Sequence, residues 1–203
     1  MLQGITSSDF ISTVSPSYAK ELLSDDFGGG FHDIFIVRQG RLVGILNGID
    51  YTFLHRDFDI HDMVEGKMNA KKKLYDQLQV RTSLSDWLEN PLFSYIGRID
   101  PAQKGLDLLE GLFRNSDFTE RANFVLLGRG EFGWEEKFKK LGQEIPNFYP
   151  NIIFDESLAI DIYAGSDFLL VPSKYEPCGL VQMMAMHYGT LPIVRGVGGL
   201  KDS

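Results

Sequence analysis

The sequence predicts an α/β fold, a parallel sheet with helices on both faces. From residue 91 onward, short apolar runs alternate with helical segments, and this alternation is typical of parallel sheets. The apolar runs are nearly continuous rather than alternating with polar residues, as expected of strands that are buried on both faces. Polar and glycine-containing loops follow most of these runs. Because ligands of such sheets bind at the carboxyl ends of the strands, we expect the site in those loops.

The individual elements follow from the apolar runs and their boundaries. Ser15 is a favourable N-cap, because its hydroxyl can accept a free N–H of the first helical turn, and Pro16 suits the first helical position. Before residue 91 we predict strands at 10–14 and 41–46 and helices at 16–23 and 65–78. After residue 91 we predict strand and helix pairs at 92–96 and 104–114, 122–127 and 131–141, 151–154 and 156–164, and 168–171 and 179–187, with a last strand at 191–194.

Composition bounds the kind of protein. The chain has 203 residues, enough for one full domain and part of another. Its net charge of −8 argues against broad binding to nucleic acid or anionic membranes, and the longest basic run, Lys71 to Lys73, is expected to face water. No apolar stretch is long enough to span a bilayer. The single cysteine, Cys178, excludes an internal disulfide, and with no signal peptide at the start we expect a cytoplasmic location.

The most informative stretch follows the strand at 168–171. The loop at 172–177 carries one carboxylate, Glu176, and Gly179 then allows a tight turn into a helix. The free N–H groups and positive dipole end of a helix start suit a phosphate group. The glycines at 196–199 follow the last strand, so their backbone could approach a diphosphate closely.

A second candidate loop carries two cations. Arg98 and Lys104 lie six residues apart, after the strand at 92–96 and at the start of a helix. Departure of a nucleoside diphosphate leaves negative charge that guanidinium, ammonium and backbone N–H groups can stabilise. The alternative is a surface arginine paired with Asp100 and a lysine at the start of an exposed helix.

Several motifs together resemble one enzyme family. Residues 175–182, 188–195 and 198–202, with 13–19, 44–50 and 97–107 upstream, resemble the bacterial glycogen synthases and plant starch synthases, glycosyltransferase family 5. These are retaining glucosyltransferases of the GT-B fold, with two Rossmann domains. The resemblance implies transfer of glucose from ADP-glucose to the non-reducing end of an α-1,4-glucan. It implies a cytoplasmic enzyme, or a plastid enzyme if the source is a plant.

The same resemblance implies a domain organisation. Residues 1–50 correspond to the end of the N-terminal acceptor-side domain, 51–90 to the hinge, and 91–203 to the C-terminal nucleotide-sugar domain, truncated at its end. Relatives carry Trp-Asn/Ser-Pro in the hinge, whereas this chain has Phe53-Leu54-His55. The family's lysine-glycine-glycine loop and a catalytic histidine of the N-terminal domain are not in this sequence. The chain is therefore expected to be a fragment that is inactive alone.

Site residues follow from the matched motifs. The resemblance implies catalytic roles for Glu176, Arg98 and Lys104, no metal ion and no cofactor, with the nucleotide sugar and an α-glucan as partners. Its remaining donor-binding residues are Gln103, Cys178, Gly179, Leu180, Gly198, Gly199, Gly128, Gly130, Phe154 and Asn47. Phe154 is expected to stack on adenine, with a buried core phenylalanine as the alternative. No nucleophile is evident for a covalent intermediate, which favours transfer on the same face of the sugar.

Other interpretations remain open. Residues 128–133 match the dinucleotide fingerprint Gly-x-Gly-x-x-Gly, although that motif belongs to the first turn of its sheet. Asp57 and Asp59 resemble the carboxylate pair that holds a metal in other glycosyltransferases, but without a preceding strand or third ligand we favour a solvated loop. For function, the alternatives are a glycosyltransferase that uses a UDP- or GDP-sugar, and a non-catalytic module that binds nucleotide or glucan.

Overall fold

The computed structural model describes residues 1–52, 54–55 and 57–203. The chain divides into two compact units, one of residues 1–49, 174–180 and 195–203, the other of 50–173 and 181–194 apart from the two residues left out. The sequence analysis did not predict that residues 174–180 and 195–203 belong to the same unit as residues 1–49. Phe53, part of the predicted departure in the hinge, lies outside the described residues.

The first unit is built on a two-stranded parallel sheet. Its order is α1 (Leu2–Ser7), β1 (Ile11–Thr13), α2 (Pro16–Glu21), α3 (His32–Val37), β2 (Leu42–Gly44) and a 3-10 turn (Gly198–Lys201). Strand β1 pairs with β2, Ile11 lying opposite Leu42. Helix α2 begins as predicted, because the Ser15 hydroxyl accepts the N–H of Tyr18 at 3.1 Å. The predicted strands at 10–14 and 41–46 are each shorter in the structure.

The second unit contains the predicted α/β sheet. Its elements are α4 (Met63–Gln77), α5 (Leu84–Glu89), β3 (Leu92–Ile96), α6 (Leu106–Phe113), α7 (Ser116–Thr119), β4 (Asn123–Leu127), α8 (Phe132–Glu144), β5 (Phe148–Asn151), α9 (Glu156–Gly165), β6 (Phe168–Val171), α10 (Val181–His187) and β7 (Leu191–Val194). The strand order is β5-β4-β3-β6-β7, and all neighbours are parallel. The predicted fold class is confirmed.

Alternate residues of β4 enter two different cores. Phe124 and Leu126 pack in one cluster with residues of α6 and α8, whereas Val125 and Leu127 pack in another with residues of α4, α5 and α9. Since successive side chains of a strand point to opposite faces, helices cover the sheet on both sides. The predicted hinge, 51–90, contributes to the second cluster through the buried Leu74 and Trp87.

The prediction for the fifth strand is wrong in position. The strand is β5, Phe148–Asn151, rather than 151–154, and Phe148 is fully buried. Proline is unfavourable in a central strand, but β5 is an edge strand of this sheet, where Pro150 is tolerated. The other edge strand, β7, contains Pro192 in the same way.

Two helix starts and one lysine also differ from prediction. Gly105 and Gly179 have φ values of +62° and +73°, in the left-handed region, so α6 begins at Leu106 and α10 at Val181 rather than at 104 and 179. Lys71 does not face water. It is only 5% exposed, and its ammonium donates to Asn90 O at 2.7 Å and pairs with Asp167 at 2.9 Å.

Candidate active site

The loop after β3 brings together three of the predicted site residues, Arg98, Gln103 and Lys104. The Asp100 side chain accepts the N–H groups of Ala102 and Gln103 at 3.0 and 3.3 Å, which folds the loop into a tight turn. Lys104 N–H then donates to Asp100 O at 2.8 Å. The turn thus presents its basic residues between the end of β3 and the start of α6.

The guanidinium of Arg98 is oriented by its own loop. It donates to the amide oxygen of the buried Gln103 at 2.7 Å and lies 3.5 Å from a carboxylate oxygen of Asp100. Its side chain is nevertheless 70% exposed. The predicted surface pairing with Asp100 is therefore present, but the contact with Gln103 fixes the head group as well. Such an arginine is preorganised and still accessible to an anion.

Gly128 and Gly130 lie beside this loop because the β3–β4 ladder continues beyond the strands. Gly97 N–H donates to Leu127 O at 3.0 Å, and Ile99 forms an isolated parallel bridge with Gly130. A Cβ at Gly128 would lie 1.9 Å from Gly97 O, and one at Gly130 would lie 2.1 Å from Ile99 O. Close backbone packing therefore requires both glycines. Their predicted role in donor binding stays a prediction.

The hydrogen bonds around the fingerprint at 128–133 do not suit a bound dinucleotide. The Glu131 carboxylate accepts the N–H groups of Gly133 and Trp134 at 3.0 and 3.1 Å, and Glu135 accepts that of Gly130 at 2.8 Å. These are N–H groups that a pyrophosphate would use at a helix start. Because the protein's own carboxylates take them, the geometry argues against a dinucleotide at this turn.

Phe154 lies in the loop between β5 and α9. Its relative exposure is 83%, which excludes the alternative of a core phenylalanine. The change in the bounds of β5 means that it follows the strand end by three residues rather than belonging to the strand. An exposed aromatic ring at the carboxyl end of a strand is available for stacking, and the adenine contact stays a prediction.

In the first unit, Glu176, Cys178, Gly179 and Leu180 form one loop. Glu176 is 8% exposed and Cys178 is 5% exposed, whereas Leu180 is more accessible at 39%. The backbone at Gly179 is left-handed, a conformation that glycine adopts without the cost of a Cβ. Asn47, the other predicted site residue of this unit, is exposed beyond the end of β2.

Gly198 and Gly199 pack directly on that loop. A Cβ at Gly198 would lie 2.0 Å from Glu176 O, and one at Gly199 would lie 2.2 Å from Cys178 O. Gly199 N–H also donates to Glu176 O at 2.9 Å. The sequence predicted these glycines from their freedom to approach a diphosphate. The structure shows a second reason for them, the close approach of two backbone segments.

Helix α2 contributes contacts that sequence reasoning missed. The Glu21 carboxylate accepts the N–H of Gly198 at 2.7 Å, and the Asp202 carboxylate accepts both the N–H and the hydroxyl of Ser17 at 2.7 Å. Burial opposes ionisation of Asp202, but its hydrogen bonds with Ser17 and Ser15 and the nearby Lys20 together lower its pKa. Burial raises the pKa of Tyr18, and the nearby Tyr175 and Glu21 add to the shift. The predicted start of α2 at Ser15 and Pro16 is the one sequence signal near these contacts, and it does not indicate their partners.

In the described part of the chain, no group of three or more histidine, cysteine, aspartate or glutamate side chains could hold a metal ion. Asp57 and Asp59 line a cavity of about 500 Å³ whose wall also includes Lys73 and Asp161. None of the described helices is long and apolar enough to cross a membrane.

The sheet, the two-sided helical cover and the loops at the carboxyl strand ends define the second unit as Rossmann-like. Residues 90–203, over half of the chain, match the family model described as glycosyl transferases group 1. The chain belongs to this family. Residues 1–37 also match the model for the starch synthase catalytic domain.

Curated relatives support the resemblance seen in the motifs. The chain is 45% identical over 207 residues to a glycogen synthase of Petrotoga mobilis, covering 98% of this chain and 41% of the relative. It is 40% identical over 209 residues to a glycogen synthase of Thermodesulfovibrio yellowstonii, with the same coverage of 98% and 41%. The chain thus spans about two fifths of the length of these relatives.

Solved structures give the same picture. The catalytic domain of Starch Synthase IV from Arabidopsis thaliana, bound to ADP and acarbose, matches with a TM-score of 0.86 and 34% identity, covering 98% of this chain and 42% of that one. Anabaena Alr3699/HepE in complex with UDP-glucose matches with a TM-score of 0.62 over 96% of this chain and 47% of that one. At 16% identity the second match shows a shared fold alone.

Proposed function

We propose that this chain is the donor-binding part of a retaining glucosyltransferase of the glycogen and starch synthase type. The donor is ADP-glucose, and the acceptor is the non-reducing end of an α-1,4-glucan. The observation that carries the proposal is the similarity of 98% of the chain to a starch synthase domain bound to ADP and acarbose, at 34% identity. A cytoplasmic location remains part of the proposal and rests on the sequence alone.

The proposed chemistry begins with the leaving group. The bond between the anomeric carbon and the β-phosphate oxygen breaks, and the electron pair stays on the departing ADP. Arg98 and Lys104 stabilise the charge that develops on its phosphate, and Gln103 supports this by holding the guanidinium at 2.7 Å. Because these two cations can stabilise the leaving group, we propose that the reaction needs no metal ion and no cofactor.

Transfer then completes on the same face of the sugar. The acceptor hydroxyl oxygen bonds to the anomeric carbon, and its proton passes to the departing phosphate. Glu176 accepts hydrogen bonds from sugar hydroxyls or faces the positive charge of an oxocarbenium-like transition state. The buried backbone around Glu176 keeps such a carboxylate in one orientation, which suits a preorganised group. Leu180 and the glycines of both loops contribute contacts to the nucleotide sugar.

Calorimetric titration of the 203-residue chain tests the proposal. We expect ADP and ADP-glucose to bind at least about tenfold more tightly than UDP-glucose and GDP-mannose, with no change on adding a chelator. Arg98→Ala should weaken ADP binding by roughly thirtyfold, the value of a hydrogen bond to a charged group. Arg121→Ala is the matched control, because Arg121 is an exposed arginine that precedes β4 rather than following a strand end.

The results also decide among the alternatives. Preferential binding of UDP-glucose or GDP-mannose would reassign the donor within the same family. Equal, weak binding of all four nucleotides, unaffected by Arg98→Ala, would overturn the donor-binding proposal. Incorporation of labelled glucose into glycogen by this chain alone is expected to be absent, since the family's lysine-glycine-glycine loop is not in the sequence. Efficient incorporation would refute that expectation.

A further inference from the structure

The loop that carries Glu176 is stabilised through the 3-10 turn at 198–201. Gly199 N–H donates to Glu176 O at 2.9 Å, and Gly199 approaches the backbone of Cys178 so closely that a Cβ would lie 2.2 Å from its carbonyl oxygen. Gly198 has a φ of +44°, a backbone conformation that few side chains tolerate. The position of this turn therefore fixes the backbone of residues 176–178.

Helix α2 holds the 3-10 turn at 198–201 at both ends. At its start, Gly198 N–H donates to a Glu21 carboxylate oxygen at 2.7 Å. At its end, the Asp202 carboxylate accepts two hydrogen bonds from Ser17, each of 2.7 Å. These contacts join residues 177 and 185 positions apart in the sequence. Charge-assisted hydrogen bonds of this length are stronger than neutral ones.

Glu21 is the more consequential of the two contacts. It ends α2, and the second oxygen of its carboxylate is buried and accepts no hydrogen bond from any described residue. Among the described residues, Gly198 N–H is therefore the donor that the Glu21 carboxylate has. Asp202, by comparison, divides its two oxygens between two donors of Ser17.

We propose that Glu21 is a positioning residue, whose carboxylate holds the turn at 198–201 and thereby keeps the backbone of residues 176–178 in place. Its consequence for the nucleotide sugar rests on the function proposed above, because that function gives the loop at 176–180 its ligand. The anchoring contact itself does not depend on that function.

Cys178 offers a direct test. It is the single cysteine of the sequence, it is 5% exposed, and it lies in the loop that Glu21 is proposed to hold. Its rate of alkylation by iodoacetamide under native conditions reports local opening of this loop. We expect Glu21→Ala to raise that rate by roughly thirtyfold, the effect of losing one hydrogen bond with a charged partner.

Two variants separate positioning from a general effect of removing a glutamate. Glu21→Gln keeps an acceptor oxygen and should restore a rate within about threefold of the original chain. Glu144→Ala removes another glutamate at the end of a helix, one whose ion pair with Lys140 is 3.8 Å long and exposed, and should leave the rate unchanged. If Glu21→Ala does not fold, Glu21→Asp, shorter by one methylene group, takes its place.

Unchanged alkylation of Cys178 in folded Glu21→Ala would overturn the proposal. So would an increase that urea unfolding attributes wholly to lower global stability. Titration of the same variants with ADP then measures the effect on ligand affinity. Glu21→Ala should bind ADP more weakly than Glu21→Gln. If alkylation increases while ADP affinity is unchanged, the positioning role stands and the donor role of the loop fails. If the original chain binds no ADP, the proposed function fails, and alkylation still decides the role of Glu21.

Discussion

Two cationic centres lie at opposite ends of β3 and differ in almost every respect. Before the strand, Lys71 is buried and bonded to Asn90 O at 2.7 Å and to Asp167 at 2.9 Å. Beyond the strand, Arg98 is 70% exposed and is oriented by Gln103 and Asp100. The first centre joins α4 to the amino ends of β3 and β6, because the Asp167 carboxylate also accepts the N–H of Leu92 at 2.7 Å.

This difference shows how to separate a structural cation from a candidate binding one. The donors of Lys71 are directed to main-chain carbonyls and a carboxylate, so its charge is satisfied by the fold. Arg98 is fixed by its own loop and keeps an accessible head group, so its charge remains available to a ligand. Stability measurements should respond to the first centre, and ligand affinity should respond to the second.

The largest expected effect is on stability at the amino end. Lys71→Met removes the buried ammonium that donates to Leu88 O, Asn90 O and the Asp167 carboxylate, and should lower the free energy of unfolding by about 3 kcal/mol. Urea denaturation followed by circular dichroism measures this. Lys72→Met is the matched control, because Lys72 is the next residue of the same helix and is exposed. It should change stability by less than about 0.5 kcal/mol. Equal losses for both variants would contradict the structural role of Lys71.

An intermediate effect should appear as a dependence on pH. The ammonium of Lys67 donates to Ala164 O at 3.0 Å, Tyr188 O at 3.2 Å and the Thr190 hydroxyl at 2.8 Å. Burial lowers the pKa of Lys67 to about 8, with Lys71 adding to the shift and Asp167 opposing it. The unfolded chain therefore binds more protons than the folded chain between pH 8 and the ordinary lysine value, and stability from this group rises with pH in that window.

Comparison with Lys67→Met isolates this contribution. From pH 7 to pH 9.5, the free energy of unfolding of the original chain should rise by about 2 kcal/mol relative to that of the variant. Urea titrations at four pH values in this range measure it, and any tyrosine ionisation near the upper end is common to both proteins. Parallel curves for the two proteins would show that Lys67 titrates normally.

The smallest expected effect is at the carboxyl end. Gln103→Ala removes the acceptor that orients Arg98 and should weaken ADP binding by about fivefold, close to 1 kcal/mol. In an Arg98→Ala background the same change should have almost no further effect, since the two residues act as one unit. Additive losses in a double-mutant cycle of calorimetric affinities would instead show that Gln103 contacts the nucleotide independently.

Local sequence signals predicted most of the sheet. Strands at 92–96, 168–171 and 191–194 agree with β3, β6 and β7 because each is an apolar run with clear boundaries. The fifth strand was misplaced because a proline such as Pro150 argues against a strand unless that strand lies at an edge of the sheet. Strand order is a property of the whole fold, so the sequence could not show that β5 is an edge strand. Likewise, the burial of Lys71 depends on Asp167, which is 96 residues away in the sequence.

For the candidate site, the sequence could predict which residues lie together only within a single motif, and their roles stay predictions. Residues within one motif, such as Arg98, Gln103 and Lys104, could be assigned together because a single turn positions them. The reason for Gly198 and Gly199 was only partly predicted, since glycine tolerates a close approach of either a ligand or another backbone segment. Glu21 carried no signal of its own, because its partner Gly198 is 177 residues away.

The prolines of the two edge strands have a consequence for self-association. Gly128 N–H donates to Asn151 O in β5 and Leu191 N–H donates to Asp167 O beside β6, so the alternating backbone of each edge strand turns Pro150 and Pro192 outward. Each edge strand therefore lacks an N–H group at the position where an incoming strand would need one. A second molecule could extend neither edge of the five-stranded sheet with an unbroken ladder, which disfavours edge-to-edge pairing of this sheet.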